Sequence, residues 1–319
     1  MDPDVLLVSL GSTHGWRVAD AALAASLRRA GASVELVEAQ RPREVRTFAL
    51  TDLGWALAAR RAAAGALERM EPRAILYSTS TAALLAPRPG AIRFDALAAG
   101  NRPGRHGAWQ RPLERRRVAA APLLVPMSEQ ALAEAPRRRA PAVVVPVPVE
   151  PSGEPGERDV AAITYASDPV KKGLGRVLDA WARVRRDGEE LVVATEHEVS
   201  APGVRTVRAR GEAFRALLRR ARVYVVAPRR EDFGIAQLEA LADGCRLVTT
   251  APPGPYVARD LARALDPRLV GDDLATAIRT ALDDPAPGYA ERARELLRPF
   301  APAAVDAAVA NELLPRLLP

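Results

Sequence analysis

The chain has 319 residues, 48% of them hydrophobic and 27% charged, with 46 Lys+Arg against 39 Asp+Glu and a formal net charge of +7. That is enough for one large domain or two ordinary ones with real cores, which excludes a disordered or fibrous chain. A single cysteine, Cys245, and no Cys/His cluster at zinc spacing exclude a disulfide framework and a structural zinc module.

The start, Met1-Asp2-Pro3-Asp4, is acidic where a secretory signal is basic, and no uncharged run reaches the roughly 18 to 20 apolar residues of a membrane span. The expected location is the cytoplasm. Residues 5–10 form a short apolar run that meets Gly11-Ser12-Thr13-His14-Gly15. Residues 19–30 then read as an Ala/Leu-rich helix closed by Arg28, Arg29 and Gly31, and residues 34–37 as a second strand. A strand, a glycine loop, a helix and a strand open a parallel α/β sheet.

A helix over 53–70, a strand over 74–77 and apolar runs at 122–125 and 142–147 continue the rhythm, while 95–117 carries loop residues and many arginines. Pro146, Pro148, Pro151, Gly153, Pro155 and Gly156 crowd into eleven residues, which is linker chemistry. A Rossmann-like domain is therefore expected over 1–148 and a second over 149–300, with a closing helical segment over 301–319 packing back on the first. The second series has strands at 160–165, 190–195, 204–207, 223–227 and 246–249. Helices are expected at 174–186, 212–220, 235–243, 274–282, 289–297 and 303–314. Such alternation predicts an α/β protein of two doubly wound parallel sheets whose strand ends face a central cleft.

The most informative segment runs from Arg229 through Arg230, Glu231, Asp232, Phe233, Gly234, Ile235 and Glu239 to Gly244. Pro228 stops the strand before it, and Gly234 permits a tight turn into a helix. A helix N-terminus offers free N–H groups and partial positive charge to an anion such as a diphosphate. Glu231 before that helix and Glu239 in its second turn are acceptors for hydroxyl groups, so the combination suits a sugar nucleotide.

The spacing E-x7-E within E-D-F-G-I-A-Q-L-E-A-L-A-D-G resembles the signature E-G-F-G-L-x-x-L-E-A-M-A-x-G of the retaining GT-B glycosyltransferases grouped as family 4. Residues 211–228 and 165–181, including Lys172-Gly173-Leu174, are also similar to that family, so the likeness covers most of residues 160–300. It implies a GT-B fold, with the donor nucleotide in the second domain and the acceptor in the first. By the same likeness, Lys172 holds the donor diphosphate, Glu239 binds the ribose and Glu231 touches the transferred sugar. Phe233, Gly234 and Ile235 would supply backbone contacts. Where family members often carry an arginine five residues before the lysine, this chain has Ser167, and Lys171, Arg229 or Arg230 stand as substitutes in a cationic clamp. The leaving phosphate takes the acceptor proton in that family, so no protein nucleophile is assigned.

In the first half, Gly11 and Ser12 end a strand and by analogy face the donor phosphate or the acceptor. Asp95 and His106 have two readings: they orient an acceptor hydroxyl, or they are a helix cap and a surface histidine. His197 is read as a surface histidine and Cys245 as an inert buried thiol. The clusters Arg115 to Arg117 and Arg137 to Arg139 are either solvated faces or a dock for an anionic membrane or polyanionic acceptor. Few aromatics and no nucleic-acid motif argue against nucleic acid.

The expected activity is transfer of a sugar from a UDP or GDP sugar to a glycan, lipid-linked or small-molecule hydroxyl with retained anomeric configuration. No metal or other cofactor is required by the residues. The rivals are a sugar-nucleotide epimerase of the same fold, a non-catalytic sugar-nucleotide-binding protein and an electrostatic adaptor.

Overall fold

The protein is described here as a computed structural model, covering residues 2–43, 45, 47–136, 140–154 and 156–319. Arg137 to Arg139 of the second basic cluster, and Pro155 of the linker, lie outside the described residues. The chain divides into two compact units, Met1–Pro148 with Pro302–Pro319, and Val149–Ala301.

The first unit runs β1 (Val5–Ser9), α1 (His14–Arg29), β2 (Val34–Glu38), α2 (Phe48–Leu67), β3 (Ala74–Tyr77), α3 (Ser80–Ala83), β4 (Ala91–Phe94), α4 (Ala98–Asn101), α5 (Gln110–Ala120), β5 (Leu124–Pro126) and α6 (Glu129–Ala133). Its five strands pair in parallel in the order β2-β1-β3-β4-β5. Period-two alternation sends Leu6 and Val8 to one face and Val5 and Leu7 to the other. The first face is covered by the alanines of α2, including Ala59, Ala63 and Ala66. The second is covered by Leu23 and Leu27 of α1 together with Val305, Val309 and Leu313 from the end of the chain. Arg29 fastens that end by two hydrogen bonds to Asp306, at 2.7 and 2.8 Å.

Two regions depart from expectation here. Residues 95–117 are not simply loop: α4, a short 3-10 turn at Gly104–Gly107 and most of α5 lie there. The apolar run 142–147 lies parallel to β5 without being a full strand: the Leu124 amide donates to the Pro141 carbonyl, the Val143 amide to the Leu124 carbonyl and the Val145 amide to the Pro126 carbonyl, each at 2.9 Å. The closing segment is also not one uniform helix: α13 (Pro302–Ala308) passes through a π turn at Val309–Leu313 before α14 (Leu314–Leu317). Pro315, with no amide hydrogen, interrupts the helical ladder at that point.

The second unit runs β6 (Val160–Tyr165), α7 (Leu174–Val184), β7 (Leu191–Ala194), β8 (Val204–Val207), α8 (Gly211–Arg220), β9 (Ala221–Val226), α9 (Ile235–Ala242), β10 (Arg246–Thr249), α10 (Val257–Leu265), α11 (Leu274–Asp283) and α12 (Tyr289–Leu296). The sheet order is β10-β9-β6-β7-β8, again all parallel. Strands β6, β7, β9 and β10 are almost continuously buried, as expected of a sheet with helices on both faces. Strand β4, helix α10 and the short helices α3 and α6 add to the expected series.

A buried ion pair marks the first unit. Arg93 on β4 and Asp20 on α1 have side chains 1% exposed each and meet at 3.1 Å. Asp20 also accepts from Ser9 at 2.5 Å, and the Ser9 hydroxyl in turn accepts from the Gly11 amide at 3.1 Å. Burial pushes the Asp20 carboxyl up against the opposing pull of Arg93. Removing one partner strands the other charge, so Arg93→Met should lower stability by about 3–5 kcal/mol. Adding Asp20→Asn should recover most of it in urea unfolding. A double variant no more stable than the single one would show that the pair is not what holds this region.

Candidate functional site

In the second sheet the strand order reverses between β6 and β9, and ligands of open parallel sheets bind outside the carboxyl ends of the strands at such a point. The two loops leaving those strands carry Lys172 and Glu231. In the first loop, the Lys171 amide donates to Asp168 Oδ1 and the Lys172 amide to the Asp168 carbonyl, each at 2.9 Å. The loop ends at Gly173, φ +66°, where a Cβ would stand 1.8 Å from the Ala227 carbonyl oxygen. Only glycine admits that approach and that φ. The Arg229 amide, donating to the Lys171 carbonyl at 3.0 Å, adds a second tie between the loops.

This approach brings Lys172 Nζ to 2.6 Å from Glu231 Oε2, with the two side chains 18% and 11% exposed. Gln237, in the first turn of α9, donates Nε2 to the same oxygen at 3.0 Å. Burial pushes the Glu231 carboxyl up. The charge and hydrogen bond of Lys172, the Gln237 amide and the charge of Lys171 outweigh it, and the group stays below its ordinary value of 4.5. Glu231 is an anion with a fixed cation.

Gly234 starts α9 with φ +93°, in a space where a Cβ would lie 2.7 Å from the Tyr256 ring. It provides no capping side chain. The amides of the first turn have no carbonyl partner inside the helix, and they add partial positive charge beside the Lys172–Glu231 pair.

Glu239 is placed differently. Its carboxylate lies 3.5 Å from Arg215 Nη1, and Arg215 also grips Asp243 through Nε at 2.6 Å and Nη2 at 3.0 Å. Burial pushes Glu239 up, Arg215 draws it down and Asp243 pushes it up again, leaving it above the ordinary value. The charges of both Glu231 and Glu239 act on the buried Tyr224 hydroxyl.

The remaining candidates are distributed as follows. Ser167 is exposed in the β6–α7 loop. Arg230 donates Nε to Asp232 Oδ1 at 2.7 Å. Phe233 is 3% exposed and meets Phe300 edge to face at 6.2 Å, so its ring is core, and Ile235 opens α9. Gly11 and Ser12 follow β1, with Thr13 capping α1 through the Trp16 amide. Asp95, half-buried, follows β4 close enough to act on Arg93, and His106 is exposed in the 3-10 turn. Gly11, Ser12, Asp95 and His106 thus belong to the first unit, and all the others to the second. His197 is exposed; Cys245 is buried with its thiol pushed up to about 12.

Sequence reasoning missed Gln237 and Arg215, whose positions in the signature and on α8 are ordinary helical ones. It also passed over an available signal. Of the 46 basic residues, only Lys171 and Lys172 are lysines, and both stand at this point. A separate cavity of about 300 Å³ lies beside Gly244, Arg246 and Pro285 at the amino end of β10, away from this chemistry. Among the described residues, no three His, Cys, Asp or Glu side chains group as metal ligands, and no helix is long and apolar enough to cross a membrane.

Residues 158–284 match the family described as glycosyl transferases group 1. No curated protein matches the chain. Among solved structures, the chain is similar over its whole length to WaaG, a glycosyltransferase involved in lipopolysaccharide biosynthesis, at 15% identity and a TM-score of 0.69, covering 96% of this chain and 99% of that one. The Anabaena protein HepE, solved with UDP and glucose, is similar at 15% identity and 0.68, covering 97% and 98%. The UDP-forming α,α-trehalose-phosphate synthase of Burkholderia xenovorans, solved with glucose-6-phosphate, is similar at 13% identity and 0.66, covering 98% and 99%. Together with the two five-stranded parallel sheets, these likenesses establish the GT-B α/β architecture.

Two outcomes test this geometry. Gly173→Ala should unfold the loop contact and lower the second unit's melting temperature, since the methyl group would collide with backbone. A folded alanine variant with unchanged melting would refute the close approach. For Glu231, the depressed value means that the pair stabilises the fold above pH 4.5 and is lost as pH falls through the folded value. Wild type should therefore lose stability below pH 4.5 more steeply than Glu231→Gln, as read by urea unfolding across pH.

Proposed function

We propose that the chain is a glycosyltransferase that moves a sugar from a nucleoside-diphosphate sugar to an acceptor hydroxyl with retention of anomeric configuration. The observation that carries this reading is the Lys172–Glu231 pair at the strand-order reversal, set against the uncapped start of α9. The group 1 match over the same residues supports it, as do structural neighbours solved with UDP and glucose or with a sugar phosphate. Retention rests on the E-x7-E likeness.

In this reading the diphosphate takes Lys172 as a partner and the first-turn amides of α9 as donors. Glu231 accepts from hydroxyls of the transferred sugar, and Glu239 from the ribose. The bond from the anomeric carbon to the leaving phosphate oxygen breaks, and the bond to the acceptor oxygen forms on the same face. The acceptor proton goes to the leaving phosphate. Charge accumulates on the diphosphate as the sugar becomes oxocarbenium-like, so fixed cations and amides there act most strongly in the transition state. Asp95 and His106 are assigned to the acceptor side, a glycan, a lipid-linked molecule or a small molecule, and Gly11 and Ser12 to the donor phosphate or the acceptor. The exposed arginines around Arg115 are available to an anionic membrane surface.

A thermal-shift panel of UDP, GDP and ADP with their sugars identifies the donor, because a ligand bound only by the folded state raises its melting temperature. Lys172→Ala should then lower turnover by about 10²–10³-fold, and Glu239→Ala should weaken nucleotide binding. Unchanged rate and affinity in both variants would remove the site. Release of nucleotide without transfer would assign an epimerase, and tight binding without turnover a binding protein.

A further inference from the structure

We infer that Lys171 is the second cation of the donor diphosphate site, taking the part that an arginine at position 167 would otherwise supply. The inference rests on the sugar-nucleotide reading above and adds a residue to it. In the free protein Lys172 is committed to Glu231 at 2.6 Å, so that pair presents little net charge to an arriving anion. Arg230 is turned to Asp232 at 2.7 Å, and Arg229, exposed on the same loop, is the rival cation that wild-type diphosphate binding by Lys171→Gln would favour. Ser167 has no charge.

Lys171 is exposed, and among the described residues no acidic side chain lies within ion-pair distance of it. Its backbone is clamped on both sides, the amide to Asp168 Oδ1 at 2.9 Å and the carbonyl to the Arg229 amide at 3.0 Å. Its backbone is thereby fixed at the reversal point while its side chain stands in solvent. Its charge acts on Glu231 and Asp232, two acids of the neighbouring loop. A second observation is independent of the geometry. In a chain of 46 basic residues, lysine occurs only at 171 and 172. Arginine is planar, rigid and weakly hydrated, whereas lysine is a compact point charge on a flexible stem with three rotatable donors. A diphosphate whose charge grows during reaction is served by cations that can follow it, and the only two such residues are neighbours here.

The scarcity of lysine makes the test unusually direct. The full chain is treated with an amine-acetylating reagent, and acetylation of Lys171 and Lys172 is followed by fragment mass spectrometry. The additions are the best-binding of UDP, GDP and ADP, its nucleoside, and inorganic pyrophosphate. We expect Lys171 to be acetylated readily in the free protein and to be protected several-fold by the nucleoside diphosphate and by pyrophosphate, with no protection by the nucleoside. Lys171→Gln should weaken binding of the diphosphate by about tenfold, the loss of roughly one charge-assisted hydrogen bond. It should leave the nucleoside's affinity unchanged and reduce the salt dependence of diphosphate binding. Lys171→Arg should keep most of the affinity.

Protection of Lys172 but not Lys171 would overturn the inference while leaving the sugar-nucleotide reading in place. So would a Lys171→Gln protein that binds the diphosphate as wild type does. Failure of all three nucleotides to bind or to protect either lysine would instead overturn the parent reading, and this one with it.

Discussion

The approach of two backbone segments governs the chemistry of the second unit. Where Gly173 lies against the Ala227 carbonyl, the loops from two adjacent parallel strands come within van der Waals contact, and a lysine from one can bond a carboxylate from the other. Sheet pairing fixes the distance between β6 and β9, but it does not fix where their exit loops go. The missing side chain at residue 173 does. Gly234 does the corresponding work at the start of α9, where its positive φ turns the chain sharply enough for the helix to begin beside Glu231. Both glycines leave free the space a Cβ would fill, against the Ala227 carbonyl at 173 and against the Tyr256 ring and Ala258 at 234.

Much of this was legible in the sequence because its cues are local. Pro228 ending a strand, Gly234 opening a helix and the eight-residue step from Glu231 to Glu239 are short-range patterns whose physical meaning survives folding. The partners of those acids were not legible. Lys172 is 59 residues from Glu231 and Arg215 is 24 from Glu239, and only tertiary packing makes either pair. Gln237 reads as one more helical residue until its amide is seen against Glu231 Oε2. The misread stretch 95–117 has a comparable cause. Its helices are short or arginine-rich, so the apolar periodicity that identifies α7 or α11 is weak in α5. The apolar run 142–147 was legible as buried, and its amides at 143 and 145 bond β5 while Pro146 lies at the alternate position, which faces away from that strand.

The two carboxylates of the signature also differ in electrical environment. Glu231 has a lysine at 2.6 Å and a neutral amide donor, and these more than offset its burial. Glu239 shares Arg215 with Asp243, so one guanidinium is divided between two acids, and burial prevails. A carboxylate held firmly ionised suits a site where positive character develops during reaction, since it meets that charge without first losing a proton. A carboxylate with a raised value and 26% exposure suits recognition of hydroxyl groups, whose hydrogen bonds demand less charge. The roles proposed for the two residues follow this difference.

The first unit offers the contrasting case. Its charges beneath the carboxyl ends of β1 and β4 are already matched, Arg93 against Asp20, and both are sealed from water. The hydroxyls near these strand ends are buried and already bonded: Ser9 donates to Asp20, Thr79 accepts from the Ala82 amide, and Ser78 and Ser80 are likewise enclosed after β3. The Leu10 amide approaches the Ser78 hydroxyl at 3.4 Å, so the loops after β1 and β3 lie side by side at the reversal point of this sheet. A diphosphate needs uncommitted cations to offset the cost of leaving water, and the buried Arg93 is not one. The same topology therefore places different groups at its two reversal points: buried hydroxyls tied to Asp20 and to a helix cap in the first unit, and two lysines beside a carboxylate in the second, because the arginine of β4 is neutralised inside the first unit while Lys171 has no such internal partner among the described residues.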